Sequence, residues 1–199
     1  MPVFSLHQFQ YYDIQPVDLT LKAHQCLGLT GPSGSGKSRL LRALADLEEF
    51  SGDVRLDGVS CNDFKPCDWR RRIGLLPAES QWWYDSVGEH YSDYDENLLS
   101  QLGFGPDVMD WPVSRLSSGE KKRLSLLRLL ANQPSVVLLD EPTANLDPGF
   151  IDKVENILLN YKNSHPVSCL WVSHDEQQLQ RTTDRIWRLE NKKWQEVQI

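Results

Sequence analysis

The stretch that most constrains the fold of this chain is residues 31–38, which read GPSGSGKS. It follows the apolar run 26–30 and precedes a helical pattern that extends from about Gly36 to Asp46. Between a strand and a helix, glycines let the loop wrap so that backbone N–H groups point inward, and the helix adds its positive end. In this context the pattern is typical of a nucleotide phosphate-binding loop, whereas the alternative is a glycine-rich turn with a surface lysine.

The residues of this loop have separate expected roles. The Lys37 ammonium is expected to reach the β- and γ-phosphates and to act in catalysis, and the Ser38 hydroxyl is expected to bind Mg²⁺. The backbone amides are expected to surround the β-phosphate. The residues expected to bind the phosphates are Gly31, Pro32, Ser33, Gly34, Ser35, Gly36, Lys37 and Ser38.

Short apolar runs alternate with helical patterns along the chain. Such runs suit strands buried on both faces of a parallel sheet, and their alternation with helices predicts an α/β protein with crossover connections. The segment from about Phe4 to Leu21 and residues 54–58 are expected to be antiparallel strands, and residues 79–132 a mostly helical insertion. The expected parallel strands are 26–30, 73–76, 136–139 and 169–172, and the expected helices are about 36–46, 120–131, 148–162 and 175–181.

The composition indicates one globular domain. The chain has 199 residues, of which 40% are hydrophobic and 25% charged, and its four cysteines lack the spacing of a zinc site. No apolar run approaches the ~18 residues of a membrane-spanning helix, and no secretory leader is recognisable, so a cytoplasmic chain is expected. A net charge of −7 disfavours nucleic acid as a partner, although residues 70–72 form a local basic run.

Two carboxylates follow the apolar run 136–139. Asp140 and Glu141 are expected at the carboxyl end of a buried strand, the edge at which open α/β sheets bind ligands. Successive side chains of an extended segment point to opposite sides, so the two residues are expected to have different roles. Asp140 is expected to hold Mg²⁺ through its water shell, and Glu141 to orient or polarise the water that attacks the γ-phosphate. The alternative is a pair of solvated carboxylates before Pro142.

A second candidate anion site lies at residues 116–120, which read LSSGE and precede the expected helix 120–131. Serine before a helix caps free backbone N–H groups, which is the simpler interpretation. A helix start with small residues and free donors can also bind an anion. One nucleotide does not obviously occupy both this site and the loop at 31–38, so the residues alone leave its purpose open.

The order of four motifs resembles the nucleotide-binding subunits of ATP-binding-cassette (ABC) transporters. GPSGSGKS at 31–38, LSSGE at 116–120, VVLLDEPTANLD at 136–147 and VSHD at 172–175 match this family over nearly the whole chain. The resemblance implies a P-loop NTPase fold of the ABC ATPase type, with a parallel-sheet core, an antiparallel β subdomain and a small helical subdomain. It also implies that residues 1–199 form a single ATPase domain that binds ATP and Mg²⁺.

In that family two domains pair head to tail, so that the phosphate loop of one chain and the signature helix of the other enclose the same ATP. By resemblance, Ser117, Ser118 and Gly119 would contact the nucleotide bound to the partner chain. Asp147 resembles the residue of the loop that links the two sites across the dimer. His174 resembles the switch histidine that hydrogen-bonds the γ-phosphate and takes part in catalysis, although a lone histidine is more often structural.

Two tyrosines are candidates for binding the base, and the signature differs from its commoner form. Tyr11 resembles the aromatic residue that stacks on adenine, and Tyr12 is the alternative. The signature reads Leu-Ser-Ser-Gly-Glu where Leu-Ser-Gly-Gly-Gln is commoner. Serine adds a hydroxyl where glycine allows close backbone approach.

One position departs from the family. The family usually places glutamine directly after the strand that residues 73–77 resemble, where it helps to bind Mg²⁺ and transmits movement to the membrane subunit. This chain has Ala78, whose methyl group can neither bind a metal nor accept a hydrogen bond. Glu79 or Gln81 is expected to substitute for it, or else the coupling is built differently.

The resemblance implies a second copy of the chain in an ATP-sandwich dimer and a separate integral-membrane permease subunit, on the inner face of the cell membrane. The aromatic run 82–84 fits either partial core packing or a groove for that subunit. The expected function is ATP hydrolysis that drives transport, and a loose likeness to bacterial iron-export ATPases favours export. One alternative is a soluble ABC-type ATPase that is not coupled to transport. The other is a P-loop kinase of a small metabolite, and a kinase would leave residues 116–120 and His174 without roles.

Overall fold

The computed structural model describes residues 3–197, and this part of the chain contains ten strands and six α-helices. The strands are β1 (Val3–Gln10), β2 (Val17–Lys22), β3 (Cys26–Thr30), β4 (Ser51–Leu56), β5 (Val59–Ser60), β6 (Ile73–Leu76), β7 (Val136–Asp140), β8 (Ser168–Val172), β9 (Arg185–Glu190) and β10 (Lys193–Val197). The helices are α1 (Lys37–Leu44), α2 (Pro66–Arg72), α3 (Glu96–Gln101), α4 (Ser118–Ala131), α5 (Pro148–Ser164) and α6 (Glu176–Thr182). Within residues 3–197, no helix has both the length and the apolar character needed to cross a bilayer.

The centre of the fold is a six-stranded sheet in the order β10-β9-β3-β8-β7-β6. Its strands pair in parallel except for β10, which pairs antiparallel with β9. Every residue of β3, β8 and β7 is buried, which explains why their sequences are continuous apolar runs instead of alternating patterns. The predicted α/β class and the four predicted parallel strands are confirmed.

A second sheet, in the order β2-β1-β4-β5, is antiparallel throughout. Its apolar side chains join α1 and the central sheet in one buried cluster, which includes Phe4 of β1, Leu41 of α1 and Leu29 of β3. Burial of this apolar surface is the main force that holds the two sheets together. The β-rich N-terminal region expected from the sequence is therefore present.

The central sheet is covered on both faces. Val136 and Leu138 of β7 belong to the first buried cluster, whereas Val137 and Leu139 belong to a second one. Because successive side chains of a strand point to opposite faces, the two clusters lie on opposite sides of the sheet. The second cluster contains apolar residues of α4 and α5, so these two helices form the second covering layer.

The insertion expected at residues 79–132 contains two α-helices, α3 and α4, joined by less regular structure. Residues 79–117 contain only α3, short 3₁₀ turns and an isolated bridge between Ser86 and Pro112. They are held to α4 partly by the buried Arg123, whose guanidinium donates to the Leu102 carbonyl and lies 3.7 Å from the centre of the Phe150 ring. Apolar residues of the insertion, among them Leu99 and Leu102, pack with leucines of α4 in the second buried cluster, and the Arg123 contacts add to this packing.

The sequence analysis did not predict α2 or the hairpin of β9 and β10. The hairpin turns at Asn191 and Lys192, which both have positive φ (49° and 63°), as a type I′ turn requires. The turn lacks the glycine that usually marks this geometry. In α2, Trp69 is buried and its Nε1 donates to the Leu44 carbonyl at 2.9 Å, so the residue beside the basic run belongs to the core.

A polar network connects α5, α6 and the segment after β7. The buried Glu155 carboxylate accepts two hydrogen bonds from the Arg181 guanidinium, at 2.8 and 2.6 Å, and one from Gln178 Nε2 at 2.7 Å. Gln178 Nε2 also donates to Thr143 Oγ1 at 2.8 Å. Hydrogen bonds to an ionised group are stronger than neutral ones, so this network fixes three segments relative to one another.

Replacement of Glu155 by Gln is expected to lower the free energy of unfolding by about 2 kcal/mol, because it removes the charged acceptor of these hydrogen bonds. The matched control is Asp152→Asn, an exposed acid on the same helix, which is expected to change stability by less than ~0.5 kcal/mol. Urea denaturation of the two variants measures the difference. Equal stabilities would show that the network does not stabilise the fold.

Candidate functional site

The glycine-rich loop between β3 and α1 has a backbone that only its glycines permit. Gly31, Gly34 and Gly36 have φ values of 141°, 73° and 112°. A Cβ atom on Gly31 would lie 2.5 Å from the carbonyl oxygen of Leu189 in β9, which is closer than any side chain allows. The loop thus turns sharply at the end of β3 and passes against the neighbouring strand before α1 begins.

Lys37 is the first residue of α1 and its side chain is buried inside this loop. Its ammonium donates to the carbonyl oxygens of Gly31 at 2.8 Å and Pro32 at 2.9 Å, and its Nζ is 3.5 Å from the Ser35 hydroxyl. Burial lowers the pKa of Lys37, while the negative charges of Glu141 and Asp140 oppose that change. A cation is therefore held where the loop can enclose an anion.

The two acidic residues at the end of β7, Asp140 and Glu141, differ in burial and backbone conformation. Asp140 is buried, and it pairs with Val172 in the register between β7 and β8. Glu141 has a left-handed backbone (φ 49°), and its N–H donates to the Val172 carbonyl at 3.1 Å. A non-glycine residue in this conformation is uncommon and costs backbone energy, which is typical of functional sites.

The Glu141 carboxylate has an open acceptor. Its Oε1 is buried without a hydrogen-bond partner in the part of the chain that the structure describes, and it lies 3.6 Å from Nε2 of His174. Burial raises the pKa of Glu141, an effect that His174 partly opposes and Asp140 reinforces. A buried oxygen that lacks a donor is suited to accept a hydrogen bond from water or substrate.

One cavity of about 330 Å³ brings the predicted catalytic and metal-binding residues together. The residues from the sequence-based site that line it are Ser33, Gly34, Gly36, Lys37, Ser38, Asp140, Glu141 and His174. The Ser38 hydroxyl and the Asp140 carboxylate are oxygen ligands of the kind that Mg²⁺ prefers, so the residues present fit this ion. No cluster of three or more His, Cys, Asp or Glu side chains suited to a metal occurs among residues 3–197.

Ala78 also lines this cavity, whereas the two proposed substitutes for the family's glutamine do not. Glu79 and Gln81 are both exposed to solvent. The group that the sequence analysis missed is Lys122 of α4, whose buried ammonium donates to the carbonyl oxygens of Pro77 at 3.0 Å and Ala78 at 2.5 Å. Lys122 therefore fixes the loop at the wall of the cavity.

The electrostatic setting of Lys122 links it to the carboxylates. Burial lowers its pKa, and the charges of Asp140, Glu141 and Glu79 oppose that change. In the sequence it belongs to the charged run 120–123, which is typical of a solvated surface. The sequence feature that could have indicated its burial is helical spacing. Lys122 lies on the same helix face as the buried Leu126 and Leu129, four and seven residues further along.

The signature residues lie away from this cavity. Ser117 caps α4 in a capping box: its Oγ accepts from the Glu120 N–H at 3.2 Å, and Glu120 Oε2 accepts from the Ser117 N–H at 2.8 Å. Ser117 and Ser118 are exposed, and a Cβ on Gly119 would lie 2.9 Å from the Asn145 carbonyl oxygen. The capping interpretation is thus correct for Ser117, but it leaves the exposed hydroxyl of Ser118 available.

Asp147 lies at the N-terminal end of α5. Its side chain is exposed and makes no capping hydrogen bond to the helix. It does not line the cavity that contains Lys37 and Glu141. In this respect Asp147 is like the signature residues, which do not line that cavity either.

The structure corrects the choice of aromatic residue. Tyr11 is 2% exposed and its ring packs 5.8 Å from that of Phe9, so it offers no free face to a base. Tyr12 is 72% exposed, and the guanidinium of Arg39 in α1 lies 4.4 Å from the centre of its ring. Tyr12, the alternative, is therefore the candidate for stacking on a base.

Known protein families and proteins match this chain over most of its length. The family model described as ABC transporter matches residues 14–144. Protein STAR1 of Oryza sativa subsp. japonica is 37% identical over 186 residues, which cover 87% of this chain and 54% of that protein. The phosphate import ATP-binding protein PstB of Thermococcus kodakarensis is 31% identical over 211 residues, covering 92% of this chain and 82% of that protein.

A solved structure has the same fold. The structure of a bacterial Atm1-family ABC exporter with ATP bound matches 98% of this chain and 38% of the exporter chain, with a TM-score of 0.86 and 19% identity. The chain thus spans about half the length of STAR1 and less than half of the exporter chain. The family match covers more than half of this chain and contains its phosphate loop, both carboxylates and the signature. The chain therefore belongs to the ABC transporter family, as an ATPase of the nucleotide-binding subunit type.

Proposed function

We propose that this chain binds and hydrolyses Mg-ATP as part of a transporter, in a head-to-tail pair with a second copy, and drives a separate integral-membrane subunit. One observation carries the catalytic part of this proposal. A single cavity is lined by a buried lysine, two serines, two carboxylates and a histidine, and one oxygen of Glu141 has no donor among the described residues. This set suits phosphoryl transfer to water, where catalysis depends on positioning and on charge.

The chain's own residues divide the work of binding. The amides of the glycine-rich loop donate to the β-phosphate, and the Lys37 ammonium exchanges its carbonyl partners for β- and γ-phosphate oxygens. The Ser38 hydroxyl and the Asp140 carboxylate would hold Mg²⁺. When bound, this ion neutralises charge on the β- and γ-phosphates. Tyr12 stacks on the adenine.

Hydrolysis is assigned to Glu141 and His174. Glu141 Oε1 accepts a hydrogen bond from a water molecule and takes its proton as the water oxygen bonds to the γ-phosphorus. The bond between the γ-phosphorus and the bridging oxygen breaks, and the electron pair stays with ADP. His174 donates a hydrogen bond to the γ-phosphate, and its position 3.6 Å from Glu141 suits a group that detects loss of that phosphate.

Pairing with a second copy gives the signature residues a role. Ser117, Ser118 and Gly119 do not line the phosphate cavity of their own chain, and both serines are exposed. In a head-to-tail dimer they would bind the γ-phosphate of the ATP held by the other chain, and the exposed Asp147 would lie near the same boundary. A helix start with free N–H groups favours such an anion.

The membrane partner and the direction of transport rest on resemblance. The exposed aromatic residues Trp83 and Tyr84 support a docking surface next to the loop that contains Ala78. Of the relatives named above, the phosphate import ATP-binding protein PstB has a transport direction in its name, and that direction is import. The exporter is only 19% identical, so its similarity indicates the fold and not the direction of transport. Export therefore stays a prediction without support from those names.

The first test concerns Glu141. Replacement of Glu141 by Gln is expected to lower kcat for ATP hydrolysis by 10²-fold or more, because a general base typically contributes about 10² to 10⁴. Binding of Mg-ATP, measured by equilibrium dialysis, should stay within a few-fold. The matched control is the exposed Glu79→Gln, which is expected to keep normal turnover. Normal turnover in Glu141→Gln would remove this carboxylate from the mechanism.

The same role has a pH signature. Because burial raises the pKa of Glu141, the carboxylate takes up its proton at a higher pH than an ordinary glutamate. Hydrolysis is thus expected to fall on the acid side at a correspondingly higher pH, and the residual activity of Glu141→Gln should lack this decline.

The second test concerns pairing. Chains with Ser117→Arg and chains with Lys37→Ala are each expected to be inactive, because every site in either homodimer lacks one partner. In an equal mixture, half of the dimers would contain one intact site, so about one quarter of the normal activity is expected. ATPase assays over a range of mixing ratios measure this recovery.

The control for this mixing experiment is Ser114→Arg, an exposed serine outside the signature, which should stay active alone. Absence of recovery at every mixing ratio would contradict head-to-tail pairing, whatever the activity of the single chains.

The third test concerns Lys122. Replacement by Met removes the ammonium that holds the Pro77 and Ala78 carbonyls, so kcat/KM for ATP is expected to fall about tenfold, or ~1.4 kcal/mol. Lys122→Arg should retain most of the activity, and Lys121→Met serves as the matched control. Steady-state kinetics together with thermal unfolding separate a mispositioned loop from a loss of folding. Equal kcat/KM in the Lys122 and Lys121 variants would show that the contact is unimportant.

A further inference from the structure

A second polar cavity lies at the edge strand of the central sheet, outside the phosphate site. It has a volume of about 170 Å³ and is bounded by α2, β6 and α4. A water molecule occupies about 30 Å³ of liquid, so this space holds more than a single water. The polar side chains that line it are Arg70, Arg71, Ser125, Arg128 and Asn132.

Two residues that line this cavity carry a buried side-chain donor without a partner in the described part of the chain. Ser125 of α4 is 3% exposed and its hydroxyl makes no hydrogen bond. The Nη1 of Arg128, one turn further along, is likewise buried without an acceptor, although its Nη2 donates to the Gln81 carbonyl at 3.0 Å. Buried polar groups are nearly always hydrogen-bonded, so unpaired donors on two neighbouring residues that line one cavity point to an acceptor that side-chain adjustment would admit.

The charge in this cavity is strongly positive. It is lined by three arginines, Arg70, Arg71 and Arg128, and by no acidic residue among those that the structure describes. Arg70 pairs at its other side with Asp46 at 3.2 Å, which leaves two positive charges uncompensated. Burial also lowers the pKa of Arg128, so a nearby anion would stabilise its charged form.

Helix electrostatics explains only part of this arrangement. Arg70 and Arg71 lie in the last turn of α2, where cations interact favourably with the helix dipole. That interaction does not involve Ser125 or Arg128, which belong to α4 and face the same space. The dipole of α2 therefore accounts for Arg70 and Arg71, but it does not explain why α4 also places donors at this cavity.

We propose that the cavity bounded by Arg70, Arg71, Ser125 and Arg128 is a binding site for a phosphate group. Its guanidinium groups and hydroxyl offer more donors than the two oxygens of one carboxylate can use, whereas a phosphate has three or four oxygens and up to two charges. The two uncompensated positive charges match a phosphate dianion. The group comes either from free inorganic phosphate or from a phospholipid headgroup.

The surroundings show why a headgroup is one source. The Arg128 guanidinium lies 4.7 Å from the centre of the Trp83 ring, and Trp83 and Tyr84 are 62% and 50% exposed. Exposed aromatic residues beside arginines are frequent where proteins meet the membrane interface. Free phosphate would use the same donors without these rings.

The test uses the full chain with Glu141→Gln and saturating Mg-ATP, so that the phosphate loop is filled and hydrolysis does not release phosphate. Inorganic phosphate is titrated by calorimetry, with chloride at equal ionic strength as the reference. Arg71→Gln is expected to weaken binding about tenfold, and Ser125→Ala about fivefold, because they remove a charged and a neutral hydrogen bond. Neither variant removes a hydrogen bond recorded for its side chain, so both should fold.

A second arm uses vesicles of phosphatidylcholine with or without phosphatidic acid, and measures the bound fraction by flotation. The matched control in both arms is Arg55→Gln, an exposed arginine that loses the same charge but does not line the cavity. Weakening by Arg71→Gln and Ser125→Ala, beyond the control, supports the site and identifies free phosphate or the headgroup by the arm in which it occurs. Binding equal to the control in both arms, or no binding of either probe, overturns the proposal.

Discussion

Parallel pairing of β3, β8 and β7 is the constraint on which the site depends. Leu29 pairs with Val172, and Val172 pairs with Asp140, so the three strands end at the same level. The phosphate loop follows the end of β3, the segment with His174 follows the end of β8, and Asp140 and Glu141 lie at the end of β7. Apolar packing on both faces fixes the register, because a slip of one residue would move every side chain of a strand to the opposite face. Residues far apart in the sequence thereby share one cavity.

The parts of the fold and site that could be predicted are those that depend on local pattern. Fully buried strands leave continuous apolar runs, and the phosphate loop needs glycines at fixed positions, so both are visible in the sequence. Arg123 and Lys122 were not predicted, because a lysine or arginine in a charged run has no local sign of burial. Their partners are carbonyl groups of distant loops, at Leu102 and at Pro77 and Ala78.

The choice between Tyr11 and Tyr12 illustrates a different limit. The pairing of β1 with β2 shifts between Leu6 and Phe9, and Gln8 within this interval has positive φ (46°). Such a bulge adds one residue and changes which positions face the core. Phe9 and Tyr11 are therefore buried, while Tyr12 faces solvent. Simple alternation along the strand cannot locate the irregularity, so the register at this point follows from tertiary packing alone.

Helix α4 has a mechanical property that follows from its contacts. Its 14 residues form a rod of about 21 Å, with the capping box at its start. One turn later, Lys122 donates hydrogen bonds to the Pro77 and Ala78 carbonyls. Near the end of the helix, the Arg128 guanidinium lies over the rings of Trp82 and Trp83. Because eight residues of this helix are buried, it is packed along most of its length, so the signature residues at one end and the aromatic contacts at the other are held at a fixed separation.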